Sequence, residues 1–159
     1  MRIFCLGAVT ALSLLVCSVS TAGSTCGGTT TASTATYGVG KAGILGVPSW
    51  QALNNPTLPS AGFQLSLANA APSSFAMLAA GVAQASIPFD GGTLLVQPQF
   101  AAFFLVTNPV GQVNASVVLP ANPVLCGNTI FTQMLIQDTS LTSFFQVSMS
   151  NGLIIILGD

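Results

Sequence analysis

The sequence contains very little charge. Only 3% of its 159 residues are Asp, Glu, Lys or Arg, against about 25% in an average soluble domain. It has no His and no Glu, and its charged side chains are Arg2, Lys41, Asp90, Asp138 and Asp159. A Ser-His-Asp triad is therefore excluded, and most other hydrolytic chemistry lacks the groups that would transfer protons. Because there is no basic patch, the sequence also offers nothing to neutralise the phosphates of nucleic acid.

The few charged residues are better explained as structural residues than as catalytic or metal-binding ones. Asp90 precedes Gly91 in a turn signal, Asp138 follows a strand pattern, and Lys41 lies in a Gly-rich stretch where it would be solvated. A calcium site would need several carboxylates at one loop, and these residues are far apart in the sequence. We predict a protein that is not an enzyme and has no catalytic residue, metal site or cofactor.

Long hydrophobic runs are also scarce, except at the N-terminus. "MRIFCLGAVTALSLLVCSVSTAG" has one early cation, Arg2, an apolar stretch over residues 3–19, and the small residues Ser20 and Ala22. This arrangement is typical of a secretory signal peptide over residues 1–22, cleaved after Ala22. The alternatives are an uncleaved membrane helix and a lipoprotein anchored at Cys17. The signal peptide predicts a secreted or cell-surface protein with no membrane span once the signal is removed.

Cysteine use agrees with export. Cys5 and Cys17 lie in the signal segment, which leaves Cys26 and Cys126 in the mature chain. An even pair in an exported chain predicts one disulfide. The alternatives are two free thiols or a metal-binding pair, although the sequence has no His or further Cys to complete a metal site.

The mature chain divides into two parts. Residues 23–61 form a Gly/Ser/Thr-rich leader followed by a Pro-containing irregular segment, predicted to be flexible or loosely extended. Tyr37 and Trp50 lie in this part; Trp50 is expected to pack on the folded domain, or to stack with Tyr37 on a ligand. Residues 62–159 have the pattern of short strands separated by Gly, Pro and Asn turns.

The strand patterns predict an all-β domain. "FQLSLAN" alternates apolar and polar residues, which indicates a strand with one buried face. "FAAFFLVTN" is nearly all apolar, which indicates a strand that is buried on both faces or covered by a neighbouring loop. Asn151-Gly152 separates "FFQVSMS" from "LIIIL" and predicts a terminal hairpin. About eight strands are expected, in one antiparallel β-sandwich of jelly-roll or immunoglobulin-like type.

The closing aliphatic run raises a question about interfaces. Residues 153–157 are too few to cross a bilayer as a helix, which would need about 20 residues. A strand without alternation must be covered on both faces, so the outward side chains of Ile154 and Ile156 require cover from this chain or another. We predict Ile154 and Ile156 as possible interface residues.

Several phrases together resemble the small secreted β-sandwich modules that are abundant in planctomycete-like bacteria. The matching stretches are "YGVG", "FQLSLANAAP", "IPFDGGTLLVQP", "LPANPVLCG", "QMLIQD" and "SNGL". Members often carry a Cys after the first motif and another in the "GG" turn, where this chain has Lys41 and Thr93. Because of this departure, a disulfide in this chain must use Cys26 and Cys126, a different connection from the family's. The resemblance implies a β-sandwich fold and an extracellular setting, and it assigns no catalytic residue.

The sequence leaves three functions open. The first is a non-enzymatic structural or adhesive module of the cell surface or extracellular matrix, with itself or other envelope or matrix proteins as partners. Low net charge favours association because copies do not repel one another. The second is a module that binds carbohydrate or another uncharged ligand through Trp50 and Tyr37. The third is a fibre subunit that assembles by strand exchange, with the leader as the donor strand.

Overall fold

The computed structural model describes residues 24–97 and 100–159, so the predicted signal peptide lies outside the described residues. The described residues form ten strands and one short 3₁₀ turn at Pro123–Leu125. All strand pairs are antiparallel, which confirms the predicted all-β fold. The strands are β1 (Ser33–Tyr37), β2 (Ser49–Ala52), β3 (Ser60–Ala68), β4 (Phe75–Gly81), β5 (Gln84–Phe89), β6 (Gly92–Val96), β7 (Phe100–Val106), β8 (Val113–Leu119), β9 (Thr129–Gln137) and β10 (Val147–Ile156).

The strands form three sheets that pack into a sandwich-like arrangement. The large sheet has the order β1-β10-β9-β4-β7, and a three-stranded sheet has the order β2-β3-β8. The third sheet is the hairpin β5-β6, whose two-residue turn is the predicted Asp90-Gly91. Both turn residues have positive φ, +50° and +79°, as a hairpin turn matching the twist of its strands requires.

The main core lies between the large sheet and the three-stranded sheet. In β3 the alternation predicted from the sequence is confirmed, because Phe63, Leu65 and Leu67 are buried while Gln64 is exposed. These side chains meet apolar residues from β9 and β10 across the sandwich, among them Met134. The alternate side chains of β3 that point inward therefore fill the space between the two sheets.

The central strand of the large sheet, β9, is covered on both faces. Met134 and Ile136 of β9 enter the main core, whereas Leu135 between them packs into a second cluster with Met149 and Ala79. The β5-β6 hairpin covers this second cluster on the outer face of the large sheet. That cover explains why β9 lacks a solvent face and why every residue from Thr132 to Ile136 is buried.

The predicted hairpin turn at Asn151-Gly152 is wrong. Both residues lie inside β10, at a register shift between Met149 and Gly152 where β10 has one residue more than β9. The Ser150 hydroxyl accepts the Met134 N–H at 2.9 Å, in place of a backbone acceptor. The ring of Tyr37 lies where a Cβ of Gly152 would be. The pair thus forms a β-bulge with turn-like chemistry in the middle of a strand.

The predicted leader and irregular segment is ordered over its described residues, 24–61, since it supplies the strands β1 and β2. β1 pairs with β10 over five residues, from Ser33 opposite Ile156 to Tyr37 opposite Gly152. β2 pairs with β3 and places Trp50 beside Leu67. The sequence did not predict β1, because its small and polar residues show no apolar alternation. This strand is held by backbone pairing and has no buried apolar face of its own.

The prediction that "FAAFFLVTN" is covered on both faces is also wrong. It forms β7, which is an edge strand with β4 as its neighbour in the described sheet. Phe103, Phe104 and Val106 are exposed. The hairpin that covers the outer face packs on β4, β9 and β10. Leu105 of β7 packs on the main core, while Phe104 and Val106 on the outer face stay exposed at an open sheet edge.

The predicted disulfide is confirmed. Cys26 and Cys126 are bonded across 100 residues of chain, with their Cα atoms 5.6 Å apart. Cys26 is buried against the main core, so the bond fastens the segment before β1 to the loop before β9.

A Cys26→Ser, Cys126→Ser double variant should lose about 2–4 kcal/mol of unfolding free energy, because closing a loop of this length restricts the unfolded chain. Urea denaturation of the oxidised wild type and the variant measures the difference. The reduced wild type is the matched control and should resemble the variant. Equal midpoints for oxidised and reduced protein would contradict the expected role of the bond.

Candidate functional site

Trp50 is fully buried, so its predicted role in stacking on a ligand is wrong. Its backbone N–H donates to Asn151 Oδ1 and its backbone C=O accepts from Asn151 Nδ2, both at 2.9 Å. Its indole N–H donates to Thr132 Oγ1 at 3.0 Å. These three hydrogen bonds join Trp50 of the three-stranded sheet to β9 and β10 of the large sheet.

Tyr37 is also engaged inside the molecule. Its hydroxyl donates to the backbone oxygen of Leu95 at 2.9 Å, and its ring meets Phe131 edge to face with centroids 6.0 Å apart. Burial raises the pKa of Tyr37 to about 12. These contacts hold β1 against the hairpin and support a structural role rather than a ligand-binding one.

Ile154 and Ile156 are half-buried in β10, which has β1 on one side and β9 on the other. Ile154 stands beside Ala35 and Phe131, so this chain covers both edges of the strand that carries it. The exposed parts of the Ile154 and Ile156 side chains lie on a face of the sheet. Their use as an interface remains a prediction.

The carboxylate of Asp159 holds the segment around Cys26. It accepts the backbone N–H of Cys26 at 2.9 Å and that of Gly28 at 3.1 Å, together with the hydroxyl of Ser24. The Ser24 hydrogen bond is the largest influence lowering the pKa of Asp159, against a smaller opposite effect of burial.

Asp138 holds the loop between β1 and β2. The residue is almost fully buried just after β9, where the sequence placed it at the end of a strand. It accepts the backbone N–H of Ile44 at 2.7 Å and that of Ser140 at 3.1 Å, and the Ser140 hydroxyl. Burial alone would raise the pKa of Asp138, but these bonds and the charge of Lys41 lower it.

Lys41 is not simply solvated, as the sequence suggested, but forms an ion pair with Asp90. Its Nζ lies 3.1 Å from Asp90 Oδ2, and the Asp90 side chain is almost fully buried. Ser143 Oγ accepts from Lys41 Nζ and donates to Asp90 Oδ2, both at 2.8 Å. The pair thus joins the N-terminal segment, the hairpin turn and the loop before β10.

Asp90 also positions that loop through its backbone. The N–H groups of Phe145 and Val147 each donate to its carboxylate at 3.0 Å. Burial alone would raise the pKa of Asp90. These two bonds, followed by those from Ser143 and Lys41, outweigh burial and hold the pKa well below its usual range.

The ring of Phe145, fixed in this way, forms one wall of an open apolar groove of about 270 Å³. The other walls are Phe89, which stacks on Phe145 with centroids 5.2 Å apart, and Phe75 and Phe104 on the outer face of β4 and β7. We call these four phenylalanines and their neighbours the aromatic groove. The neighbours that complete its lining are Ala76, Met77, Leu135, Gln137 and Val147.

The sequence did not predict the aromatic groove, because its members come from five separate segments. The available signal was the phenylalanine pairs Phe103-Phe104 and Phe144-Phe145 in strand-like or loop contexts. Sequence alternation places neighbouring residues on opposite faces, but it does not show which faces remain uncovered after the hairpin packs.

Comparison with known proteins finds no matching family model and no curated protein or solved structure with significant similarity to this chain. The resemblance to secreted planctomycete-type modules therefore stays a hypothesis. Within residues 24–97 and 100–159, no three His, Cys, Asp or Glu residues cluster in a way that could hold a metal ion. Over the same part of the chain, no helix has the length and apolar character needed to cross a bilayer.

The lowered pKa values of Asp90, Asp138 and Asp159 predict a one-sided pH dependence of stability. Below the ordinary Asp pKa of about 3.9 the unfolded chain takes up protons while the folded carboxylates stay ionised, so the unfolding free energy should fall as pH falls towards the folded pKa values. Since the sequence has no His or Glu, stability should be nearly flat from about pH 5 to 8. Urea midpoints from pH 2 to 8 measure the profile.

In that series the urea midpoint of Asp138→Asn should fall less steeply below about pH 4 than that of the wild type. The reason is that only two of the three aspartates with a lowered pKa still titrate. A wild-type midpoint that rises on acidification, or changes between pH 5 and 8, would contradict the assignment.

Asp90→Asn should lower the urea midpoint, because it leaves the Lys41 ammonium almost enclosed without its carboxylate and weakens the hold on Phe145. The double variant Asp90→Asn, Lys41→Met should recover part of the loss, since it removes the unpaired charge. If the double variant loses as much as the two single variants added together, the ion pair contributes no coupling and the interpretation is wrong.

Proposed function

We propose that this chain is a non-enzymatic, exported structural module of the cell surface or extracellular matrix. The observation that carries the proposal is the division of its surface chemistry. The described charged side chains, Lys41 and three aspartates, are engaged in internal contacts, while phenylalanines and aliphatic residues remain exposed. A surface of this kind suits lasting contact with other macromolecules.

The geometry of the ionisable groups supports a non-catalytic role. A general acid or base near neutral pH needs a pKa close to 7, and the three carboxylates are shifted in the opposite direction. Lys41 Nζ contacts Asp90 Oδ2 and Ser143 Oγ, so these internal partners occupy the group that a lysine nucleophile would need to present to a substrate. Each group thus serves the fold.

The disulfide supports the extracellular part of the proposal. Bonds of this kind persist in oxidising compartments and are rare in reducing ones. Cys26–Cys126 fastens a segment that has little buried apolar surface of its own, which is the kind of reinforcement that an exposed, durable protein needs.

Ligand binding is the second candidate, and it now depends on the aromatic groove rather than on Trp50 and Tyr37. The groove offers phenylalanine rings for stacking, but Gln137 is the only polar residue among its described lining. Carbohydrate recognition needs several placed hydrogen-bonding groups besides a stacking surface. The apolar lining therefore favours a macromolecular contact over a sugar.

Strand exchange is the least favoured of the three. The proposed donor segment includes β1, which already pairs with β10 of its own chain. Cys26 and Asp159 hold the residues before it. Exchange would have to break these contacts before it could form new ones.

Expression of the full chain in its source organism should place the oxidised protein in the envelope or extracellular insoluble fraction. The matched control is Leu15→Arg, which interrupts the apolar stretch and should leave the protein inside the cell with its thiols reduced. Fractionation followed by thiol alkylation on non-reducing gels measures both properties. Wild-type protein found in the cytoplasm, or exported and wholly soluble without attachment, would contradict the proposal.

A further inference from the structure

Strand β7 is the least protected edge of the molecule. Natural edge strands are kept from pairing by charged residues, proline, bulges, short length or cover. β7 runs over seven residues, Phe100–Val106, and its sequence "FAAFFLV" contains neither charge nor proline. Its register with β4 shifts between Phe100 and Phe103, so the regular part of the edge is Phe103–Val106. The other sheet edges differ: β1 and β2 have five and four residues, and β8 carries the polar residues Asn114 and Ser116.

The outer face beside this edge is aromatic and open. Leu78 and Leu105 pack on the main core and therefore lie on the inner face of β4 and β7. The alternate residues Met77 and Phe104, which pair with each other, lie on the outer face. Val106 is opposite Phe75 on that same outer face. The edge and the aromatic groove are therefore one continuous surface.

The area of this surface is close to what one partner contributes to a stable dimer. Phe75, Phe104 and Phe145 of the aromatic groove are 64%, 74% and 55% exposed. Phe144, whose ring meets Phe145 edge to face with centroids 4.8 Å apart, is 89% exposed beside them. At about 200 Å² for a phenylalanine, these four side chains present about 550 Å² of apolar surface before Val106 and the backbone edge are added. A standard interface buries about 800 Å² on each side. The largest apolar patch on a typical monomer covers about 300–600 Å² and is often functional, so this surface lies at the upper end of that range before the edge is added.

We propose that the occupant of this surface is a second copy of the same chain, paired antiparallel through β7. An antiparallel pair of identical strands has two-fold symmetry, so one surface serves both partners. The interface would contain no described charged side chain, so two copies would meet without repulsion, and the formal net charge of the whole chain is only −1. This inference deepens the proposed structural role and rests on it.

Pairing in this way joins two large sheets into one continuous sheet of ten strands. It satisfies the backbone groups along both open edges, which an apolar contact alone would leave buried without partners. It also brings Phe104 and Val106 of each copy onto one shared outer face, where cross-strand apolar pairs stabilise a sheet. The aromatic grooves of the two copies would then border one another across the symmetry axis.

The test compares Phe104→Lys with Val118→Lys in the oxidised mature protein. Both residues are exposed, at 74% and 71%, and both lie on edge strands, but Val118 belongs to β8 of the small sheet. Phe104→Lys should raise the dimer Kd by about 30-fold or more, the effect of losing one strong interface residue, while Val118→Lys should leave it unchanged. Sedimentation across a concentration series measures Kd, and urea midpoints establish that both variants fold.

Hydrogen exchange separates strand pairing from face-to-face packing. Amides of β7 in the wild type should become protected as concentration rises, and those of Phe104→Lys should not. Phe144→Ser, in a loop where it cannot disturb a strand, should weaken the dimer without abolishing this protection. A wild type that stays monomeric to millimolar concentration, a dimer lost in Val118→Lys instead, or a dimer without β7 protection would each overturn the inference.

The outcomes distinguish this inference from the proposed function. A monomer that still attaches to envelope material would overturn the β7 pairing and leave the structural role standing. A β7-paired dimer that remains soluble and unattached in the cell fractionation would support the pairing and contradict the structural role.

Discussion

Asn151 lies where the two main sheets are joined. Its side-chain amide forms the two hydrogen bonds with the Trp50 backbone that a neighbouring strand would otherwise form. It donates to and accepts from the backbone of Trp50, which belongs to the other sheet. With its backbone held there, the Trp50 indole reaches Thr132 and fills the space between the layers. The bulge in β10 makes this possible, because one extra residue turns Asn151 out of the ladder. The spacing of the sandwich depends on this contact.

Elsewhere the molecule joins its segments with both neutral and charged side chains. Buried Gln133 accepts from the Leu95 N–H and donates to the backbone oxygens of Thr93 and Ser150, which attaches the hairpin to the large sheet through neutral groups. The Asp90 carboxylate adds a charged attachment through the Val147 N–H. The other two aspartates fasten segments that have little apolar surface of their own. The aromatic groove depends on such a charged attachment, since the Asp90 carboxylate fixes the loop that carries Phe145.

The sequence predicted those features that depend on neighbouring residues or on the cysteine count, and missed those that depend on other contacts between distant segments. Alternation in "FQLSLAN", the Asp90-Gly91 turn and the Cys26–Cys126 bond follow from short patterns or from counting, and all are confirmed. Asn151-Gly152 misled because the same pair suits a hairpin turn and a bulge, and only the distant partner Trp50 decides between them. β1 was missed because its stability comes from pairing with β10, and the exposure of β7 because the hairpin's position is a tertiary fact.

The pairing of β1 with β10 also imposes an order in time. The first strand of the sandwich finds its place only beside the last one, and Cys26 meets a partner that lies 100 residues further along the chain. During synthesis or export the segment carrying β1 therefore emerges long before its neighbour exists. Contacts so distant in sequence close slowly, because a long loop must be ordered before they form. The largest sheet cannot be complete until β10 has emerged, and until then β1 has no partner strand in its own chain.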